Sequence, residues 1–385
     1  MDFRSRLAAV QAAMQERDIS LMFLPRAASL FYLTGIRRQL DHGTDHNAYG
    51  DWLSGGYIRQ DGPVQVVAPR MGGGFWLHEA EGKPWVSGVR LIMEPESPVD
   101  VLKEMLASFG LGSGKHRIAV DERTWAQFTI AATALFPDLE IVNATEIIAP
   151  MRMIKTQDEL DAMRRGSDLT DDVFRNVMAF MKPGMTEFDV AHEIDYQFVK
   201  LGAEYTSFET GVFFIQAEPA EGEKTVRSGE RELRHGDSIM FDFGGVIDGY
   251  ASDFGRSAFV GEPSAEYLRA HDAIITSQSD AMAAMVAGKC TAAQANAIAR
   301  KVIADAGFDD GFNHRLGHGI GVTVHEPPFL DGVDQIVLQE NMVFTVEPSI
   351  WYPGRFGNRI EDMVVVTKDG GKPMSKIERK LFIVA

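Results

Sequence analysis

The sequence predicts an α+β protein of two domains, a smaller α/β domain over residues 1–150 and a larger domain over 151–385. Three observations predict it. The first 150 residues alternate helix-period stretches with strand-like apolar runs. Ala149-Pro150 then interrupts the pattern, and Thr156-Gln157-Asp158-Glu159 restarts it with the signature of a capping box. Beyond that break a segment recurs: MKPGMTEFDVAHEIDYQFVKLGAE (181–204) resembles MVAGKCTAAQANAIARKVIADAGF (285–308).

Taken in order, residues 3–17 read as an amphipathic helix, LMFLP as a buried strand and FYLTGI as another strand-like run. YIRQDGPVQVVAP reads as a hairpin turning at Asp61-Gly62. VDVLKEMLASFG is a helix closed by Gly110. RIAVD, a helix over 124–136 and LEIVNA complete the alternation. A long helix runs from Thr156 toward Met181. Each copy of the repeat has a turn glycine, a Thr-, Ser- or Cys-type cap and a helix closing at Gly202 or Gly307. Each is preceded by a helix and followed by strand-like sequence. The second domain is therefore expected to be a duplicated helix–helix–strand unit with pseudo-twofold symmetry.

Composition narrows the function. The formal charge of −17 lacks the basic footprint of a general nucleic-acid binder and argues against anchoring on an anionic membrane. The single cysteine, Cys290, excludes an intrachain disulfide and a thiolate metal cluster. No apolar run approaches the length of a membrane span. The N-terminal segment lacks the long apolar core of a signal peptide, so a cytoplasmic protein is expected.

The chemistry concentrates in four segments. FDFGGVIDGYASDFGRS (241–257) places Asp242 and Asp253 on predicted strands around a turn region at Gly249. Buried carboxylates are costly unless paired, hydrogen-bonded or metal-bound. Asp248, beside Gly249, reads as turn chemistry. NHRLGHGIGVTVHEPP (313–328) carries His314, His318 and His325, three of the chain's ten histidines. MVFTVEPSIW carries Glu347 before a proline, and NRIEDMVVVT carries Glu361 and Asp362. Singly, each has an ordinary reading: a turn aspartate, a hydrogen-bonded histidine, a strand-end glutamate. Together, hard oxygen donors with an imidazole suit manganese, iron, cobalt or zinc, and bridging carboxylates suit two adjacent metals.

FDFGGVIDGYASDFGRS, HRLGHGIGVTVHEPP, FTVEPS and RIEDMVVVT resemble the five ligand motifs of the "pita-bread" metallopeptidase family, M24, which includes methionine aminopeptidase, Xaa-Pro aminopeptidase, prolidase and creatinase. LFYLTGI and the α/β half resemble the creatinase/aminopeptidase P N-terminal domain, and MRMIKTQDELDAMRRGS the segment joining it to the catalytic domain. The resemblance covers essentially the whole chain. It implies a pita-bread catalytic domain, two divalent metal ions with manganese foremost, and Xaa-Pro peptide hydrolysis by a hydroxide bridging the metals. It implies that Asp242 chelates one metal, Asp253 and Glu361 bridge, His318 ligates the other, and Glu347 ligates and serves as general base. His325 would hydrogen-bond the substrate carbonyl or tetrahedral intermediate, His314 would line the pocket, and Arg359 would brace Glu361. It also implies a homodimer.

The pattern departs from the family's peptidases at one position. They carry a further histidine upstream of the first aspartate, near the leaving nitrogen. That position falls near Thr225 here, and no histidine occurs between His192 and His235. His235 reads as a surface residue. The departure keeps open a small amide, amidine or onium substrate, as in creatinase, ectoine hydrolase or a dimethylsulfoniopropionate lyase. RRQLDHGTDHNAYGDWLSGG (37–56) holds Asp41, His42, Asp45, His46, Asp51 and Trp52. It reads as a solvated loop or as a substrate-selecting loop in which Trp52 and the acids hold a cationic substrate.

Overall fold

The computed structural model describes residues 1–38, 49–215 and 228–384. The chain divides into two compact units, Met1–Met151 and Arg152–Ala385. His42, His46, Asp41 and Asp45 lie outside the described residues, as does Thr225.

The first unit is a six-stranded mixed sheet in the order Val86–Ile92, Val64–Pro69, Gly55–Arg59, Leu21–Pro25, His116–Val120, Leu139–Asn143. The Asp61-Gly62 hairpin joins Gly55–Arg59 to Val64–Pro69, with Gly62 at φ 75° supplying the left-handed turn residue. Helices Phe3–Glu16, Pro98–Ser108 and Ala126–Leu135 form where the apolar spacing predicts them. FYLTGI departs from expectation: residues Ala28–Thr34 are a helix, not a strand, closed by Gly35 at φ 71°. All seven residues are buried, so no polar position reveals the period. Pro150 also lies inside a helix, Thr145–Met153, rather than ending one at its position. Asp51 opens a single turn, Asp51–Leu53. Trp52 is 8% exposed and packs in the core with Phe23, Tyr57 and Phe128, leaving little of its ring for a substrate.

The second unit has the α+β character expected. Two helix pairs, Gln157–Phe180 with Glu187–Leu201 and Ala265–Ala284 with Ala292–Asp305, cover two antiparallel-rich sheets. The second helix of each pair starts in a capping box, Thr186/Asp189 and Thr291/Gln294. Left-handed glycines follow their ends, Gly202 at φ 98° and Gly307 at φ 83°. The predicted box at Thr156 also forms, its backbone N–H donating to Glu159 Oε2 at 2.9 Å. Each helix pair has its own core: Phe174, Phe198, Phe241 and Phe254 in one, Tyr267, Phe312, Phe344 and Ile350 in the other. No described helix is long and apolar enough to cross a membrane.

The first sheet contains Gly211–Ile215, Ser238–Phe243, Phe254–Val260 and Phe382–Val384; the second contains Gly317–Gly319, Glu326–Leu330, Val343–Val346, Asp362–Thr367 and Gly370–Pro373. A bridge between Gly255 and Glu361 stitches them together. Asp248-Gly249 forms a two-residue turn with both φ positive, 52° and 76°, between Gly245–Ile247 and Tyr250–Ala251. The expected two-strand hairpin is thus four strands. Ser238–Phe243 pairs with Phe254–Val260, and the small hairpin projects from between them.

Candidate metal centre

The seam between the two sheets is where the acids meet. Asp242 lies opposite Gly255 in the strand ladder, and Gly255 accepts from the Glu361 N–H at 2.9 Å. Glycine is needed at 255 by close approach. A Cβ there would lie 2.9 Å from Arg359 Cδ and 3.0 Å from Glu361 Oε2. Asp253 enters the next strand at 5% exposure, and Glu361 is 1% exposed. His318 comes from the short strand Gly317–Gly319. Glu347 sits between Val343–Val346 and Ser349–Tyr352, its N–H donating to the Leu316 carbonyl at 2.8 Å.

His318 Nε2 is 3.5 Å from Asp253 Oδ2 and 3.5 Å from Glu347 Oε1. One ligand atom each from Asp253, His318 and Glu361 lie within 4.8 Å of one another. The His318 tautomer follows from its other nitrogen, which lies 3.1 Å from the Gly319 carbonyl. A carbonyl only accepts, so Nδ1 donates and Nε2 turns its lone pair toward the carboxylates. Acceptors facing acceptors need a proton or a metal ion between them. Glu361 Oε2 agrees: it is buried without a hydrogen-bond partner among the described residues.

One side chain answers part of this charge. Arg359 donates from Nη1 to Asp242 Oδ2 at 2.8 Å and from Nε to Ser349 Oγ at 2.9 Å. It also stands 3.8 Å from Glu347 Oε2 and 3.7 Å from Glu361 Oε2. Burial opposes its charge, but Asp242, Glu347, Glu361 and Asp253 hold it protonated above its ordinary value. Burial, with Asp242 adding to it and Arg359 opposing, pushes Glu347 up to about 7. Burial followed by Asp253 and Glu347 pushes Glu361 well above the carboxylate range. Burial, then His325, lowers His318 to about 3; burial, then Arg359, lowers His314 to about 4. Both imidazoles are thus neutral at pH 7.

These directions make a prediction. Glu347 and Glu361 retain protons below pH 7 in the metal-free protein, whereas the neutral histidines have none to lose. Metal loading should therefore release protons, more at pH 6 than at pH 8. Calorimetric titration in buffers of different ionisation enthalpy counts them. Equal release at both pH values would mean that these glutamates are not the displaced groups.

The remaining residues take clear places. His325 is exposed, its ring 4.0 Å from that of His318 at 61°. His314 is half-buried and donates from Nδ1 to the Arg315 carbonyl at 2.7 Å. Its Nε2 is a buried acceptor with no partner among the described residues. Asp362 faces away, in an ion pair with Arg256 at 2.7 Å and a hydrogen bond from Gln278 at 3.0 Å. His235 is exposed, and Asp248 pairs with Arg165. Sequence reasoning passed over Glu326, next to His325. It is 4% exposed and held by Lys155 Nζ at 2.8 Å and Arg152 Nη2 at 2.5 Å. Arg152 and Lys155, alternating with apolar residues in Met151-Arg152-Met153-Ile154-Lys155 just before the Thr156 cap, carried a faint signal: two charges of one sign in a short apolar lead-in to a helix.

A buried carboxylate cluster, an imidazole lone pair and one bracing guanidinium have the chemistry of a candidate metal-dependent hydrolase centre. The comparisons agree. Residues 161–368 match the metallopeptidase family M24, and residues 6–154 match the creatinase/prolidase N-terminal domain. An uncharacterised peptidase of Bacillus subtilis is 31% identical over 79% of this chain and 84% of its own. An Xaa-Pro dipeptidase of Lactobacillus delbrueckii subsp. lactis is 32% identical over 80% of this chain and 82% of its own. The crystal structure of a prolidase from Thermococcus sibiricus superposes with a TM-score of 0.88 at 27% identity, covering 100% of both chains. The chain belongs to metallopeptidase family M24. It is an enzyme of the metal-dependent peptidase class.

Proposed function

We propose that this protein hydrolyses Xaa-Pro bonds in short peptides at a centre of two divalent metal ions, manganese foremost, held by Asp242, Asp253, His318, Glu347 and Glu361. The observation that carries the reading is the convergence of the Asp253 and Glu347 carboxylates on the His318 Nε2 lone pair. Charge supports two ions. Four carboxylates against the Arg359 guanidinium leave three negative charges around a neutral imidazole. One divalent cation leaves one of these uncompensated; two cover all three. The relatives described as an Xaa-Pro dipeptidase and a prolidase support the substrate class.

The bound metals would acidify a water and polarise the scissile carbonyl. The chain's own groups do the rest. Glu347, its Oε1 accepting from Thr345 Oγ1 at 3.3 Å, takes up a proton and returns it to the leaving nitrogen. His325, its ring set edge-on to that of His318 at the solvent edge, donates to the substrate oxygen where charge develops. His314 Nε2 accepts from a substrate N–H. Arg359 fixes Asp242 while lowering the repulsion among the acids. We also propose a cytoplasmic homodimer, which sedimentation velocity would show as a species of twice 42.5 kDa.

The absence of a histidine between His192 and His235 supports the second reading, a small amide, amidine or onium substrate at the same centre. Turnover of manganese-loaded protein separates the two. The panel holds Xaa-Pro di- and tripeptides beside creatine, ectoine and dimethylsulfoniopropionate, with metal content measured on the same sample. Xaa-Pro cleavage is the expected result. Two bound metals with turnover only of a non-peptide would overturn it.

A further inference from the structure

We propose that Gln278 is a positioning residue for the metal centre: its amide sets the spacing between Glu347 and Glu361, acting from the face of the sheet that points away from the metals. The inference rests on the reading above of these two glutamates as ligands. Their strands pair at Val346 and Asp362, and again in the same register at Ser349 and Arg359. Glu347 therefore falls opposite Glu361, in the gap between the two rungs. The ladder lapses there. Pro348 has no N–H to give. The Glu347 N–H goes outward to the Leu316 carbonyl at 2.8 Å, and the Glu361 N–H to the Gly255 carbonyl at 2.9 Å. Among the described residues one long backbone bond crosses the gap, from the Ile360 N–H to the Pro348 carbonyl at 3.5 Å. How far apart the two carboxylates stand is thus decided by the rungs on either side.

Each rung has a side-chain clamp. At Ser349 and Arg359 it is Arg359 itself, whose Nε donates to Ser349 Oγ at 2.9 Å. At Val346 and Asp362 it is Gln278, from helix Ala265–Ala284. Its Nε2 donates to the Val346 carbonyl at 2.9 Å and to Asp362 Oδ2 at 3.0 Å, one bond to each strand. A carbonyl and a carboxylate only accept, so both partners demand the amide nitrogen. Its Oε1 accepts from Arg379 Nη1 at 3.4 Å, which holds the other end. Arg256 extends the clamp, donating from Nη2 to Asp362 Oδ1 at 2.7 Å and from Nη1 to the Glu361 carbonyl at 2.8 Å. Gln278 and Arg256 are fully buried, where such bonds are strong and costly to leave unmade. Asp362 already has the Arg256 charge, so an amide adds little to its neutralisation. What Gln278 adds is the tie to Val346, the residue before Glu347. The clamp also accounts for Asp362, the one acid of NRIEDMVVVT that points away from the centre.

The test is calorimetric titration of chelator-stripped protein with manganese, for wild type, Gln278→Met, Gln278→Asn and Ser277→Ala. Methionine is close to glutamine in length and volume but donates nothing. Asparagine keeps the amide and withdraws it by one methylene. Ser277 is the control. It is buried beside Gln278 on the same helix, but its Oγ donates to the Ala299 carbonyl of the neighbouring helix at 2.9 Å. Gln278→Met should weaken manganese binding by about 10- to 100-fold, the range for groups that orient metal ligands. Gln278→Asn should weaken it in the same direction. Ser277→Ala should bind as wild type does, even where its melting temperature falls as far. Wild-type affinity in the Gln278 variants, or an equal loss in Ser277→Ala, would overturn the inference. So would failure of both Gln278 variants to fold, since the amide would then hold the fold rather than the spacing. The titration needs no substrate, so the peptidase reading can fail independently of it. If wild type takes up a single ion, the two-metal reading fails, and the same comparison at that ion still decides the role of Gln278. If wild type takes up none, both fall.

Discussion

Glu361→Gln should abolish metal-dependent turnover and at the same time stabilise the metal-free protein. The two effects have one cause. Glu361 is 1% exposed, its Oε2 lacks a hydrogen-bond partner among the described residues, and Asp253 and Glu347 repel its charge. Without metal, a neutral isostere removes a buried like-charge conflict of about 1–3 kcal/mol. With metal, the same change removes a ligand atom, and kcat/KM should fall by about a thousandfold or more. The sign with pH is fixed. A carboxyl held above its unfolded value contributes stability that is complete below the unfolded value and is lost as pH rises through the folded one. The melting-temperature advantage of Glu361→Gln should thus be larger at pH 8 than at pH 5. Scanning calorimetry with and without chelator reads it, alongside metal content. A variant that melts lower than wild type without metal, or keeps both ions and full turnover, would contradict the ligand role. Asp253→Asn is expected to empty at least one metal position in the same way.

The residues of this centre were legible because each breaks a local rule. Asp242 and Asp253 are acids in strand-like runs, though Asp253 lies just before its strand, and Glu347 precedes a proline inside another such run. Gly255 reads differently. In sequence it is one glycine among several, and the approach of Arg359 Cδ and Glu361 to 2.9–3.0 Å of where its Cβ would lie explains it. FYLTGI failed because a helix buried on all sides shows no period. Asp248-Gly249 read correctly as a turn, yet the hairpin it closes was hidden, because strands of three and two residues carry no alternation to detect. The second copy of the repeat was visible through Gly307 and the Thr291 cap, which backbone geometry demands whatever the packing. Long-range ion pairs left almost no trace. Nothing local to Glu326 announces that it pairs with residues 171 and 174 positions away.

That hidden ion triad carries the second large effect. Glu326→Ala should destabilise the protein by about 3–5 kcal/mol, because removing one member of a buried pair strands the other. Lys155 is 3% exposed and would keep a charge whose other partner among the described residues is the Met153 carbonyl at 3.4 Å. Arg152 would lose its carboxylate and keep the Thr323 hydroxyl at 2.5 Å. Activity should fall as well, for a separate reason. Glu326 follows His325 directly, and Gly321 approaches so closely that a Cβ there would lie 2.7 Å from Glu326 Oε1. The carboxylate therefore pins the strand end from which His325 reaches the His318 ring. Replacing all three members at once, Arg152→Leu with Lys155→Met and Glu326→Leu, separates the contributions. Apolar groups of similar volume strand no charge, so most of the stability should return. Turnover should stay reduced, because the fork of donors that fixed the His325 strand is gone. Urea unfolding of the metal-free proteins gives the first quantity and kcat of the loaded proteins the second. A triple variant with both stability and kcat restored would mean that the triad only fills space, and that His325 is held by its own strand pairing.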